Sequence, residues 1–177
     1  MNASVVDTNV ILVANGAHAD VTEECVIACI ERLNELKKSG VLVVDDCYRI
    51  FAEYQRKTTP RAGKGVGDLF VQWALRHQHQ TGHVHQVSIT EHAPDRYAEF
   101  PDDATLESDF DPADRKFVAV ANAHSGNPTI WQAADSKWLD WWPALKACGV
   151  DVEFLCGAEV CRAYKKKFPN KSVPPLP

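Results

Sequence analysis

Short, continuous apolar runs alternate along this chain with stretches whose apolar residues recur every three or four positions. Residues 3 to 7 and Val41 to Val44 are runs of the first kind and predict buried strands, Val84 to Ile89 alternates or forms a third strand, and Thr129 to Gln132 and Val152 to Leu155 are read as two more. Between them, Cys25, Val26, Cys29, Ile30, Leu33 and Leu36 keep helical spacing, opened by an Asp20/Glu23 capping-box pattern and stopped by Gly40. Cys47, Ile50, Phe51 and Tyr54 form the stripe of a second helix capped by Asp45 or Asp46, and Asp68 caps a third that carries Leu69, Phe70, Trp73 and Ala74. Asp111-Pro112 starts a helix that runs to about Asn122, and two more are predicted over Leu139 to Cys148 and Ala158 to Lys167. Strands alternating with helices predict an α/β three-layer sandwich, a central and mostly parallel sheet flanked by helices.

The glycines and proline of Thr58 to Asp68 make that stretch a loop, residues 90 to 110 read as irregular, and the prolines after Phe168 predict a flexible tail over 169–177. Ala62-Gly63-Lys64-Gly65-Val66-Gly67-Asp68 is not a phosphate-binding P-loop, because it lacks both the spacing between glycines and the Lys-Ser or Lys-Thr pair. A length of 177 residues with 45% hydrophobic content suits one domain over 1–168, with 58–107 read as an insertion or clamp. No apolar run approaches the ~20 residues of a membrane helix and no basic leader precedes the first strand, so the expectation is a cytoplasmic protein without a membrane partner.

Six cysteines occur without a Cys-x-x-Cys pair, and buried free thiols are expected. His77, His79, His83 and His85 lack the spaced partners of a closed zinc site and read as a polar loop, while Trp131, Trp138, Trp141 and Trp142 are expected to serve packing. A net charge of -5 excludes a general polyanion binder, yet Arg49, Arg56, Lys57, Arg61 and Lys64 face only Glu53 within one segment. Such a strip suits either a solvated helix face or contacts to nucleic-acid phosphates.

Four acids stand where a packed fold does not want charge. Asp7 and Asp135 follow strands, at the edge where open parallel sheets bind ligands. Asp114 shares a helical stripe with Phe117, Val118 and Ala121, and Glu53 borders the stripe of Ile50, Phe51 and Tyr54. Two carboxylates ~4 Å apart repel by about 4 kcal/mol at an effective dielectric of 20, so a shared pocket requires protonation, cationic partners or a hard divalent ion. All-oxygen ligation favours Mg2+ or Mn2+ over zinc.

The order Asp7-Thr8-Asn9, then Phe51-Ala52-Glu53-Tyr54, then Asp111-Pro112-Ala113-Asp114-Arg115-Lys116-Phe117, then Ala134-Asp135-Ser136-Lys137 resembles the PIN-domain nucleases along most of the chain. The resemblance implies that Asp7, Glu53, Asp114 and Asp135 are the catalytic metal ligands or their acidic support, with Thr8 and Asn9 ordering the site. It implies hydrolysis of RNA phosphodiesters through an Mg-activated water, with the basic strip on the substrate backbone. By analogy with toxin–antitoxin members of the family, it adds a small antitoxin and a homodimer as partners. Two features depart from the family pattern: Ala134 stands where Ser or Thr is common, and Thr58 to Glu107 is long. The competing readings are a catalytically degraded PIN-like RNA-binding module and a small-molecule phosphohydrolase. Asn9 disfavours the latter, because a dehalogenase-type phosphatase would carry a second Asp there.

Overall fold

The computed structural model describes residues 2–177 and places five parallel strands in one sheet. These are β1 (Ala3–Val6), β2 (Val41–Asp45), β3 (Val84–Val87), β6 (Thr129–Gln132) and β7 (Val152–Phe154), in the spatial order β3-β2-β1-β6-β7. The central strands are covered on both faces, β2 being buried throughout, while the edge strands β3 and β7 carry polar residues and are only partly buried. Between β1 and β2 lie α1 (Thr8–Ala14) and α2 (Glu23–Ser39), and between β2 and β3 lie α3 (Arg49–Lys57) and α4 (Val66–Arg76). The long return from β3 to β6 carries α6 (Arg115–Ala123), which lies across β1, β2 and β6. Right-handed crossovers put α1 to α4 on one face, and α6 with α7 (Trp138–Ala147) on the other, in a three-layer α/β sandwich. The last helix, α8 (Gly157–Lys167), follows β7. No helix is long and apolar enough to cross a membrane.

Several local expectations change. The run after Asp7 is a helix: Val10, Ile11, Val13 and Ala14 are all buried in α1, and an element buried on several sides shows no period to separate helix from strand. The cap of α2 is Thr22, accepting from the Cys25 N–H at 3.3 Å, instead of Asp20. Residues 90–110 are ordered by a short antiparallel hairpin, β4 (Glu91–Ala93) with β5 (Arg96–Tyr97), and by α5 (Ala104–Asp109), which Asp103 caps. Phe100, Leu106 and Phe110 anchor this excursion in the core, too sparsely spaced to give a period. Within 58–107, β3 completes the sheet and α4 buries Phe70, Val71 and Ala74, so only the part after β3 departs from the sandwich. In the proline-rich tail, Trp142 Nε1 donates to the Pro175 carbonyl at 3.0 Å, and Val173 packs with Leu139, Val160 and Tyr164.

The cysteine expectation is overturned in part. Cys25 and Cys156 form a disulfide across 131 residues of sequence, a separation at which local pattern carries no signal, and Cys47 is exposed. Cys29 is a buried thiol, and Cys148 and Cys161 are partly exposed.

Helices α1 and α4 meet at a contact only glycine permits, since a Cβ on Gly67 would lie 2.2 Å from the Ile11 carbonyl oxygen. Gly67→Ala is expected to destabilise the fold by about 1–3 kcal/mol, read as a lower urea midpoint with an unchanged m-value.

Candidate metal centre

Strand order reverses between β1 and β6, and the crevice beyond their carboxyl ends is where such sheets bind ligands. Asp7 leaves β1 directly into α1. Its Oδ1 accepts the Asn9 N–H at 2.8 Å as the helix cap, and its other oxygen takes no hydrogen bond from the described residues. Asn9 then bridges to β6: its Nδ2 donates to Gln132 Oε1 and its Oδ1 accepts the Ala133 N–H at 2.8 Å. The Asp-Thr-Asn signature thus staples the two strands that flank the crevice. On the β6 side, Asp135 is half-buried and accepts the Lys137 N–H at 3.1 Å.

Asp111 caps a 3-10 turn (Pro112–Asp114), accepting from the Ala113 N–H at 3.1 Å, and this turn delivers Asp114 to the start of α6. Trp138 Nε1 donates to Asp114 at 3.3 Å, so one of the core tryptophans also orients an acid. On the opposite face, the Asp45 carboxylate receives the Arg49 and Ile50 N–H groups at 2.9 Å each and fixes the start of α3, which carries Glu53. Tyr54, fully buried beside it, donates its hydroxyl to the Val6 carbonyl just before Asp7.

Three of the acids, Asp7, Asp114 and Asp135, have no lysine or arginine within 4.0 Å among the described residues. Burial is the main reason the Asp7 carboxyl is held well above the usual carboxylate range, and Asp114, Asp135 and Glu53 push it the same way against the Asn9 N–H. Burial, then Asp135 and Asp111, push Asp114 up to about 7, with Lys116 opposing. These four side chains therefore sense one another across a common space.

Glu53 is different. Its Oε2 lies 2.6 Å from the ammonium of Lys116 and its Oε1 accepts from the Thr8 hydroxyl at 2.5 Å, so both oxygens are engaged. Lys116 is buried and also donates to the Ala113 carbonyl. The sequence pattern did not single out this lysine. The available signal was the run Phe117 to Ala121, apolar all round, which requires the first turn of α6 to be buried on every side, Arg115 and Lys116 included.

Among the described residues, no three carboxylate oxygens come within 4.8 Å of one another. The acids line a crevice and do not close a cage. As hard oxygen donors, Asp7, Asp114 and Asp135 suit Mg2+ or Mn2+, while Glu53 becomes a ligand only if Lys116 lets go.

Of the basic strip, Arg49 is engaged internally, 3.0 Å from Glu91 and 3.6 Å from Asp45, and it ties the β4–β5 hairpin to α3. Arg56, Lys57, Arg61 and Lys64 are exposed and have no acidic partner within 4.0 Å among the described residues. Arg56 and Lys57 follow Glu53 by three and four residues, hence share its side of α3 one turn along.

The histidines separate into pairs: His77 and His83 meet edge to face, and His85 Nδ1 lies 3.0 Å from His124 Nε2. A cleft of about 600 Å3 opens at the opposite end of the sheet, beside Ser4, Val41 and Thr129. Size does not make it the better site. Arg32 there is paired with Glu153 at 2.6 Å and Glu35 is solvent-exposed, whereas Asp7, Asp114 and Asp135, withdrawn from solvent and without cationic partners, lie at the carboxyl edge. Comparison with protein-family models, with curated proteins and with solved structures returns no match, so fold and site stand on the geometry of this chain alone.

Proposed function

We propose that this chain is a metal-dependent endoribonuclease of the PIN type. The observation that carries the reading is the trio Asp7, Asp114 and Asp135, without cationic partners, at the strand-order switch. Natural folds tolerate such mutual repulsion where a ligand relieves it, and the donor set suits Mg2+ or Mn2+ held by these three side chains. The chemistry a divalent ion supplies when bound is a water of lowered pKa and neutralisation of charge building on the phosphate. Glu53, fixed by Thr8 and Lys116, supports the trio. Asn9 holds the two loops of the crevice in register, and Trp138 orients Asp114. Arg56, Lys57, Arg61 and Lys64 would receive the backbone of single-stranded or structured RNA, since Arg56 and Lys57 share the helix side that carries Glu53 and Arg61 and Lys64 are exposed in the loop that follows it. An antitoxin and a second copy of the chain are partners proposed by analogy with toxin members of that family alone.

The test is cleavage of a mixed RNA pool with Mg2+, with Mn2+ and with EDTA. Cleavage is expected with either ion and lost in EDTA. Cutting that persists in EDTA, or that fails with every divalent ion, overturns the proposal. Replacing Arg56, Lys57, Arg61 and Lys64 together by Ala is expected to weaken RNA binding about equally across sequences. It should flatten the dependence of log K on log salt by up to about 3, given roughly 0.7 per phosphate contact on a single strand. An unchanged slope would remove the strip from the binding surface.

One observation favours a second reading, a degraded PIN-like module that binds RNA without cutting it. Lys116 already occupies Glu53, and the acids stand further apart than a closed ion cage requires. Divalent-independent RNA binding with no cleavage would select that reading.

A further inference from the structure

Away from the acids, α2 and the start of α8 bring three sulfurs together. Cys25 and Cys29 are one helical turn apart on the buried face of α2, Cys156 caps α8, and all three are almost wholly buried. Their Sγ atoms all lie within 4.8 Å of one another, with Cys29 Sγ 3.9 Å from Cys156 Sγ. Among the described residues it is the one cluster of three ligand atoms this tight, and the nuclease reading makes no use of it.

We propose that, with the Cys25–Cys156 disulfide reduced, Cys25, Cys29 and Cys156 form a thiolate site for Zn2+ or a similar d10 ion, so that the disulfide and the metal are alternative occupants of one position. The argument is geometric. Four ligands around zinc at about 2.3 Å place sulfurs roughly 3.8 Å apart, which the Cys29 to Cys156 separation already matches. Two cysteines one turn apart on a helix present sulfurs to the same point, and the third comes from a different element, so the ion would tie α2 to α8 as the disulfide does. Glu159, one turn into α8, is already engaged by the Thr22 hydroxyl at 2.5 Å and by Arg162 at 3.0 Å, so water completes the four ligands.

The chemistry balances. A dithiol reductant gives two electrons and two protons to the disulfide and becomes a disulfide itself. The ion then displaces three thiol protons as three metal–sulfur bonds form. Metal is needed to hold that charge, because all three sulfurs are almost wholly buried, where a thiolate without a cation is disfavoured. The complex of Zn2+ with three thiolates is left with one net negative charge. It falls at the positive end of the eleven-residue α8, where an anion is favoured. Mg2+ does not compete, since thiolates are poor ligands for a hard cation.

The experiment uses the full chain, reduced and handled without oxygen, titrated with Co2+ as the spectroscopic stand-in for zinc. One equivalent is expected to develop an intense sulfur-to-cobalt charge-transfer absorption that Zn2+ abolishes and that the oxidised protein never shows. Cobalt on the carboxylates gives no such band, so the two sites are read separately. Cys29→Ser is expected to lose the band, and the exposed Cys47→Ser to keep it. In the unaltered reduced chain, Zn2+ is expected to slow alkylation of Cys25, Cys29 and Cys156 relative to the metal-free state while leaving Cys47, Cys148 and Cys161 unchanged. The alkylation pattern decides the question even if Cys29→Ser does not fold. No charge-transfer band in the reduced chain, a band that survives Cys29→Ser, or protection falling on the other three cysteines overturns the proposal.

Discussion

Asp7→Asn is expected to stabilise the metal-free protein while removing the cleavage activity proposed for it, two effects of opposite sign from one atom. The variant keeps the α1 cap, because an amide oxygen accepts the Asn9 N–H as the carboxylate does. What it removes is buried charge. Burial and the neighbouring acids hold Asp7 and Asp114 above their unfolded values, so the folded state keeps protons that the unfolded chain has released. Stability from such groups is complete below the unfolded pKa and is lost as pH rises through the folded one. For Asp114 that window runs from the ordinary carboxylate range, near 3.8, to about 7. In EDTA the unaltered protein should therefore melt at progressively lower temperature as pH rises across this window. Asp7→Asn should melt higher at neutral pH and follow a shallower profile, the gain being about 1–3 kcal/mol. Mg2+ should restore the neutral-pH stability of the unaltered chain and do little for the variant. RNA cleavage should fall by about 100-fold or more, beyond the cost of losing a residue that merely supports a metal ligand. A variant less stable than its parent in EDTA, or a flat parental profile, would show that the carboxylates do not share one field.

Much of this architecture is written in the chain as local pattern. Strands β1 and β2 announce themselves as continuous apolar runs bounded by polar turns, and β6 falls at the expected residues, Thr129–Gln132. The strand tips then fix where Asp7 and Asp135 must lie, because a buried strand leaves its following loop on one edge of the sheet. What escaped is non-local or aperiodic. Helix α1 has no polar side to betray it. The hairpin and α5 are held by a few aromatic anchors. The disulfide joins residues that share no spacing rule. In the site, the acids were legible as charges out of place, but their partners were not. Arg49 belongs to a basic strip in sequence and to Asp45 and Glu91 in space, and Lys116 looks like a surface residue until α6 is known to be buried all round.

Lys116 carries the second large effect. With 8% of its side chain exposed against 14% for Glu53, the pair is removed from water, and deleting one partner leaves an uncompensated buried charge. Lys116→Met is therefore expected to cost about 3–5 kcal/mol in EDTA, measured by urea unfolding. Lys116→Met combined with Glu53→Gln should recover most of that loss, since the amide oxygen still accepts the Thr8 hydroxyl and no charge remains. The response to metal separates an electrostatic role from simple packing. Freed from its ammonium, Glu53 adds a carboxylate to the crevice that Asp7, Asp114 and Asp135 share. Mg2+ should then stabilise Lys116→Met more than it stabilises the parent, and calorimetry should find tighter or additional Mn2+ binding. In the double variant that extra response should vanish. A single variant as stable as the parent in EDTA would mean that Glu53 is not held by this ion pair, and one indifferent to Mg2+ would place Glu53 outside the metal's reach.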